Sequence, residues 1–198
     1  MSIVTLVSGG FDSTLMSLMA QEERISLHPL FVDYGQLGAS KEWDTCQVLH
    51  KKHGLPEVAR MDLSGFGRII PSGITSPKLR INEDAFLPGR NLLLILAGAA
   101  YAYQRRASGV AIGLLNSASH IFPDQTQEFL DHCEATIKIA MGKRIPVIAP
   151  LLQFAKKDVL AMANARNLQD TYSCHSGDDI PCGKCVACVE IINAGERG

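Results

Sequence analysis

Ser8-Gly9-Gly10-Phe11-Asp12-Ser13-Thr14 stands directly after an apolar run and directly before a helical pattern carried by Leu15, Leu18 and Met19. Paired glycines let the backbone turn tightly with its N–H groups facing inward, and the following helix adds its partial positive end. A loop of this kind holds phosphate or pyrophosphate. Ser8, Ser13 and Thr14 supply hydroxyl donors. Asp12 either caps the helix or holds Mg²⁺ through water. The spacing fits neither the dinucleotide pattern G-x-G-x-x-G nor the Walker pattern G-x-x-x-x-G-K-[ST]. An ordinary strand-to-helix turn with a serine cap would not call for serine, two glycines, aspartate and serine together.

A second group lies near the other end. Cys174, Cys182, Cys185 and Cys188 are spaced C-x7-C-x2-C-x2-C, with Gly183 easing the turn between two of them. Four thiolates at such intervals fit a closed tetrahedral zinc site with a structural role. An iron–sulfur cluster is the competing reading, but the C-x3-C-P continuation of the ferredoxin run is absent. His175 could replace one cysteine as a ligand, but beside four cysteines it reads as a surface histidine. Cys46 and Cys133 stand alone, and clustering of the other four of the six cysteines favours a metal over disulfides.

Short apolar runs alternating with helical patterns must position both groups. Ile3–Val7 and Pro29–Val32 read as buried strands, with Val58–Leu63, Val110–Leu115 and Val147–Pro150 as weaker members of the series. Helices are expected at about Ser13–Gln21, Ala39–His53, Ala85–Ala107, Asp124–Met141 and Lys156–Asn167. Such strand-helix-strand repetition implies an α/β fold, a doubly wound parallel sheet with helices on both faces. Residues 65–83 show no period and read as a loop near the site.

The 198 residues are 46% hydrophobic and 20% charged, which suits one globular domain over residues 1–198. With 19 Lys+Arg against 20 Asp+Glu there is no basic surface for free nucleic acid. The longest apolar run, Leu92–Tyr103, has 12 residues, short of the ~18 that cross a bilayer. Met1–Val7 carries no charged leader, so a cytoplasmic protein without a membrane partner is expected.

Loop and knot together resemble the 7-cyano-7-deazaguanine synthase family of the queuosine pathway, within the PP-loop ATP-pyrophosphatase superfamily. Ser8-Gly9-Gly10-Phe11-Asp12-Ser13 is similar to its ATP loop, and Phe31-Val32-Asp33-Tyr34-Gly35-Gln36 to its second strand and turn. Pro88-Gly89-Arg90-Asn91-Leu92 resembles its P-G-R-N helix start, and Lys156-Lys157-Asp158-Val159 its K-x-[DE]-[IV] start. Ser173-Cys174 and Cys182-Gly183-Lys184-Cys185-Val186-Ala187-Cys188 resemble its zinc tail. The resemblance implies ATP, Mg²⁺ and Zn²⁺ as cofactors and adenylation of a deazaguanine carboxylate, with ammonia as nitrogen source and two ATP used per nitrile.

Residues 8–14 would hold pyrophosphate, while Asp12, Arg90 and Lys156 would carry the catalysis, Arg90 by a planar fork and Lys156 as a point charge. Asp33, at a strand end where doubly wound folds place ligands, either meets the nucleotide or a metal or caps the Tyr34-Gly35 turn. Tyr34, Gln36, Asn91, Phe122 and Asp124 are implied on the substrate side. A homodimer is expected.

The match weakens at Asn116-Ser117-Ala118-Ser119-His120-Ile121-Phe122-Pro123-Asp124-Gln125-Thr126, where the family shows an acid followed by Y-P-D-C-R. Phe122 loses a hydroxyl, and Gln125 and Thr126 replace a thiol and a guanidinium. Asp124 alternatively serves as an N-cap. Another amine, including a protein or peptide acceptor, is therefore the alternative to ammonia. A tRNA-modifying enzyme of the superfamily would need an RNA-binding domain and a basic surface, and a non-catalytic nucleotide-binding module would leave Arg90 and Lys156 idle.

Overall fold

The fold comes from a computed structural model that describes residues 1–115 and 122–196. Five parallel strands form one sheet in the order β3-β2-β1-β4-β5: β1 Ser2–Leu6, β2 Ser26–Asp33, β3 Ala59–Asp62, β4 Val110–Ala111 and β5 Val147–Ile148. Helices α1 Phe11–Glu22 and α2 Ala39–Lys52 follow β1 and β2; α3 Gly65–Ile69 and α4 Arg90–Arg105 precede β4. α5 Gln127–Met141, α6 Lys156–Ala165 and α7 Val186–Glu196 complete the order.

Alternation along the strands decides which helices cover which face. Val4, Leu6, Leu30 and Val110 share one cluster with Ile95 of α4 and Leu130 and Ile137 of α5. Their neighbours Ile3, Leu27 and Ala111 point the other way, onto Leu15 of α1, Leu49 of α2 and Val159 of α6. The sheet is thus covered on both faces, as its near-continuous apolar strands require. α4 lies close on β1 and β4 because Gly98 leaves room: a Cβ there would stand 2.5 Å from a Val110 methyl.

Several expected boundaries shift, each for a local reason. The helix expected from Ala85 begins at Arg90, because Pro88 disfavours helical backbone in the residue before it. The helix expected from Asp124 is a 3-10 turn over Pro123–Gln125 followed by α5, and the cap is Thr126, whose Oγ1 accepts the Phe129 N–H at 3.1 Å. Asp124 is not the N-cap of that helix. The strand expected over Val110–Leu115 keeps ladder pairing only at Val110–Ala111, after which Leu114 N–H turns back to the Ile112 carbonyl. α6 stops at Ala165, short of Asn167, whose φ is 52°. The short helix α3 interrupts the loop expected over residues 65–83, and α7 lies where the spacing implies only a cysteine tail. No helix among the described residues is long and apolar enough to cross a membrane.

Strand β1 has β2 on one side and β4 on the other, so the chain leaves it in opposite directions. The crevice at the carboxyl ends of these strands is where open α/β sheets take ligands.

Candidate functional site

A cavity of about 260 Å³ occupies that crevice, lined by four groups of residues. The floor is the strand ends, with Val7, Phe31, Val32 and Ile112. The loop after β1 forms the second wall through Ser8, Gly10, Asp12 and Ser13, faced by Lys156 at the start of α6. The third carries Tyr34, Gln36, Glu42, Arg90, Asn91 and Phe122. The carboxyl-terminal tail closes the rim with Tyr172, Ser173, His175, Val186 and Glu190.

The loop is shaped by its own hydroxyls. Ser8 N–H donates to Ser13 Oγ at 3.1 Å, the two serine hydroxyls are 3.2 Å apart, and Thr14 N–H donates to the Gly10 carbonyl at 3.2 Å. Gly9 sits at φ 77°, and a Cβ there would meet the Glu42 carbonyl at 2.8 Å, so conformation and space both require glycine. Tyr172 N–H donates to the Gly9 carbonyl at 3.0 Å, which ties the tail to the loop.

Asp12 lies in the first turn of α1 but does not cap it. Lys156 Nζ donates to both of its oxygens, at 2.8 and 2.9 Å, with the lysine side chain only 12% exposed. A residue pair 144 positions apart in sequence therefore places one anion and one cation at the mouth of the loop.

The other expected site residues divide. Tyr34, Gln36, Arg90, Asn91 and Phe122 line the cavity, whereas Gly9, Phe11, Thr14, Asp33 and Asp124 do not. Phe11 packs on the α1 side of the core, and Thr14 is buried. Asp33 has both oxygens engaged, Oδ1 by Gly35 N–H at 3.0 Å and Oδ2 by Arg60 at 2.8 Å, which is the turn-capping arrangement. Asn91 Nδ2 holds the Asp124 carbonyl at 3.0 Å, fixing the turn that presents Phe122, itself stacked on Phe86 at 5.2 Å. Asn116–Ile121 lie outside the described residues.

Among the cavity residues that escaped the sequence reading are His175, Glu190 and Glu42. His175 is no surface histidine: it lines the cavity, and its Nδ1 is buried without a partner. Burial, with the Arg90 charge adding to it, pulls its pKa down to about 4 and keeps the ring neutral. Burial pushes the Glu190 carboxyl up, against the pull of Lys156. Glu42, on α2, is pushed up to about 7 by burial, opposed by the Gln36 amide and Arg90. Beside it the Tyr34 hydroxyl is driven to about 12 by burial, with the Arg90 guanidinium opposing. Only the aromatic, apolar and charged neighbours brought by folding set these values.

Glu42 yields a pH-dependent stability. Its folded pKa lies above the ordinary 4.5, so the folded chain binds the proton more tightly than the unfolded one, and stability is lost as pH rises from about 4.5 through about 7. Glu42→Gln removes that loss. Chemical denaturation should find the variant about as stable as wild type at pH 4.5 and more stable at pH 8, by up to about 3 kcal/mol.

At the rim, the Sγ atoms of Cys174, Cys182, Cys185 and Cys188 all lie within 4.8 Å of one another. Around one tetrahedral ion with ~2.3 Å metal–sulfur bonds, sulfurs stand about 3.8 Å apart, so a small inward movement would complete such a site. Backbone N–H groups already point at the sulfurs: Cys182 to Cys174 at 3.2 Å, Cys185 to Cys182 at 3.4 Å and His175 to Cys185 at 3.5 Å. Donors of this kind stabilise metal-bound thiolates. The four cysteines can hold a metal.

Residues 2–195 match the family model described as queuosine biosynthesis protein QueC. The chain belongs to the QueC family. A 7-cyano-7-deazaguanine synthase of Methanothermobacter thermautotrophicus is 29% identical over 99% of this chain and 95% of its own length. Among solved structures, a U34-tRNA thiolase from Methanococcus maripaludis with its [4Fe-4S] cluster superposes with a TM-score of 0.56, at 15% identity over 98% of this chain and 64% of that one. NMN synthetase from Francisella tularensis gives a TM-score of 0.54 at 16% identity, over 93% and 69%. These two share the fold of this chain. The sites described above are the QueC-family chain's own.

Proposed function

We propose that the chain binds ATP with Mg²⁺, adenylates a 7-carboxy-7-deazaguanine-type acid and passes the acyl group to a nitrogen nucleophile. The observation that carries this is the Asp12–Lys156 pair at the mouth of a phosphate loop, in the same cavity as Arg90, in a family whose relatives carry the synthase name. The acid's carboxylate oxygen attacks the α-phosphorus, the bond to the bridging oxygen breaks, and pyrophosphate leaves. Loop N–H groups and Lys156 hold the departing charge, since fixed donors act most strongly where charge develops. The nucleophile's nitrogen then attacks the acyl carbon, and AMP leaves. With ammonia the product is the amide, and a second activation at the amide oxygen gives the nitrile. Zinc is the ion proposed for the four cysteines, because their sulfurs converge on one point, whereas a cluster would spread them over several irons.

One observation favours a second nucleophile class, the amine of a protein or peptide. Phe122 and Gln125 line the cavity, and Gln125 Oε1 is turned onto Phe122 N–H at 3.3 Å, so the thiol and phenol of the resembled string are missing where the acceptor would enter. A pocket closed around ammonia protects the adenylate from water, whereas a larger amine needs an opening. Mass spectrometry after incubation with ATP, Mg²⁺, the carboxydeazaguanine and ammonia tests both. Pyrophosphate and AMP should form, with nitrile slow relative to pyrophosphate. Efficient nitrile formation would remove the second reading, and ADP with phosphate would remove both.

A further inference from the structure

Glu42 belongs neither to the phosphate loop nor to the cysteine knot, yet it stands in the cavity wall at 9% exposure. Its Oε2 accepts from Gln36 Nε2 at 2.9 Å. Gln36 is itself fixed, since its Oε1 accepts the Tyr34 N–H at 2.9 Å, and this orients the amide with its NH₂ toward Glu42. No lysine, arginine or histidine among the described residues forms an ion pair with Glu42. A buried carboxylate held rigidly, with Arg90 near but no cation in ion-pair contact, is costly unless a ligand brings donors to it.

The surroundings restrict that ligand. Tyr34 and Ala85, with partly buried Leu94, Phe122 and Val186, form one apolar cluster, and all five line the cavity. Apolar walls with a few convergent polar groups suit a flat heterocycle. A carboxylate accepts two parallel N–H donors at once, as it does from a guanidinium fork. Among purine-like rings, the guanine type presents such a pair, the ring N–H and the exocyclic amine. A hypoxanthine type lacks the amine, and an adenine type turns an acceptor toward the carboxylate.

We propose that Glu42, oriented by Gln36, reads the amino-lactam edge of a guanine-type acid and sets the substrate specificity of this cavity. The inference rests on the deazapurine acid of the preceding reading and adds the residue that chooses among such acids. Hydrogen bonds to a charged group contribute ~1.5–3 kcal/mol, which corresponds to about a hundredfold in affinity at the upper end.

Calorimetric titration in the presence of a non-hydrolysable α,β-methylene ATP tests it, with 7-carboxy-7-deazaguanine and its 2-deamino counterpart as probes. Wild type should prefer the 2-amino acid by about a hundredfold. Glu42→Gln should bind the two acids within about threefold of each other while its affinity for the nucleotide stays within about twofold. Retention of the wild-type preference by the variant would overturn the assignment. So would an equal loss of both acids, the sign of a packing role, or a loss of turnover with affinity and preference intact, the sign of a general base. If wild type binds the nucleotide but neither acid, the functional reading falls and this inference with it.

Discussion

Lys156→Met should lower ATP-to-AMP turnover by about a thousandfold while changing nucleotide affinity by less than about tenfold. The lysine is set in advance: its Nζ is held by both Asp12 oxygens at 2.8 and 2.9 Å, and its side chain is 12% exposed. Ground-state ATP already carries charge that the loop N–H groups can hold, so binding survives. What changes as the α–β bond breaks is the charge on the leaving pyrophosphate, and one fixed donor at such a point contributes ~3–4 kcal/mol. Asp12 would also lose its partner, so the unfolding midpoint must be measured alongside; a normal midpoint assigns the loss to chemistry. Lys156→Arg should fall between the two, because a planar guanidinium keeps the charge but not the compact geometry. Turnover within tenfold of wild type for Lys156→Met would remove the lysine from the mechanism.

That pair also shows where the sequence stops being informative. The loop between β1 and α1 is legible because its shape is set locally: two glycines, hydroxyls and a helix start lie within seven consecutive residues. The cysteine knot is legible for the same reason. The alternation of apolar runs gives the layered sheet, since parallel strands need long crossovers. Partnerships between distant residues are different. Asp12 reads equally as a cap or a magnesium ligand until folding sets Lys156 against it, and Asp33 reads equally as a ligand or a turn cap until Arg60 and Gly35 N–H take its oxygens. Glu42 was missed because Lys41-Glu42 at a helix start looks like a solvated face, and only the packing of α2 beside the loop buries it. His175 was missed because a histidine beside four cysteines reads as a surface residue, and only the packing of the tail against the cavity buries it. α7 was missed because Val186–Glu196 overlaps the cysteine spacing, and its apolar residues carried no separate helix-start signal.

Cys185→Ser should remove the metal and, with it, most of the ligand binding, while leaving the sheet folded. Cys185 is fully buried at the centre of the knot, and its Sγ accepts the His175 N–H at 3.5 Å. Loss of one thiolate of four opens a closed site, and in small metal-bound units the binding energy of the ion is folding energy. Metal analysis should fall from about one zinc per chain to below about 0.2. The consequence extends past the tail because the tail is a wall of the cavity. Tyr172 N–H holds the Gly9 carbonyl, a Cβ on Gly10 would stand 3.0 Å from Ser173 Oγ, and His175 and Glu190 face the cavity. Releasing these residues should cut affinity for the nucleotide and the acid by at least about a hundredfold, a larger loss than a merely stabilising appendix would give. Among the described residues, none of α7 belongs to either cluster flanking the sheet, so far-UV circular dichroism should keep most of its intensity. Normal ligand affinity in a metal-free Cys185→Ser protein would show the knot to be separate from the site, and visible iron–sulfur absorption in the wild type would replace zinc as the bound species.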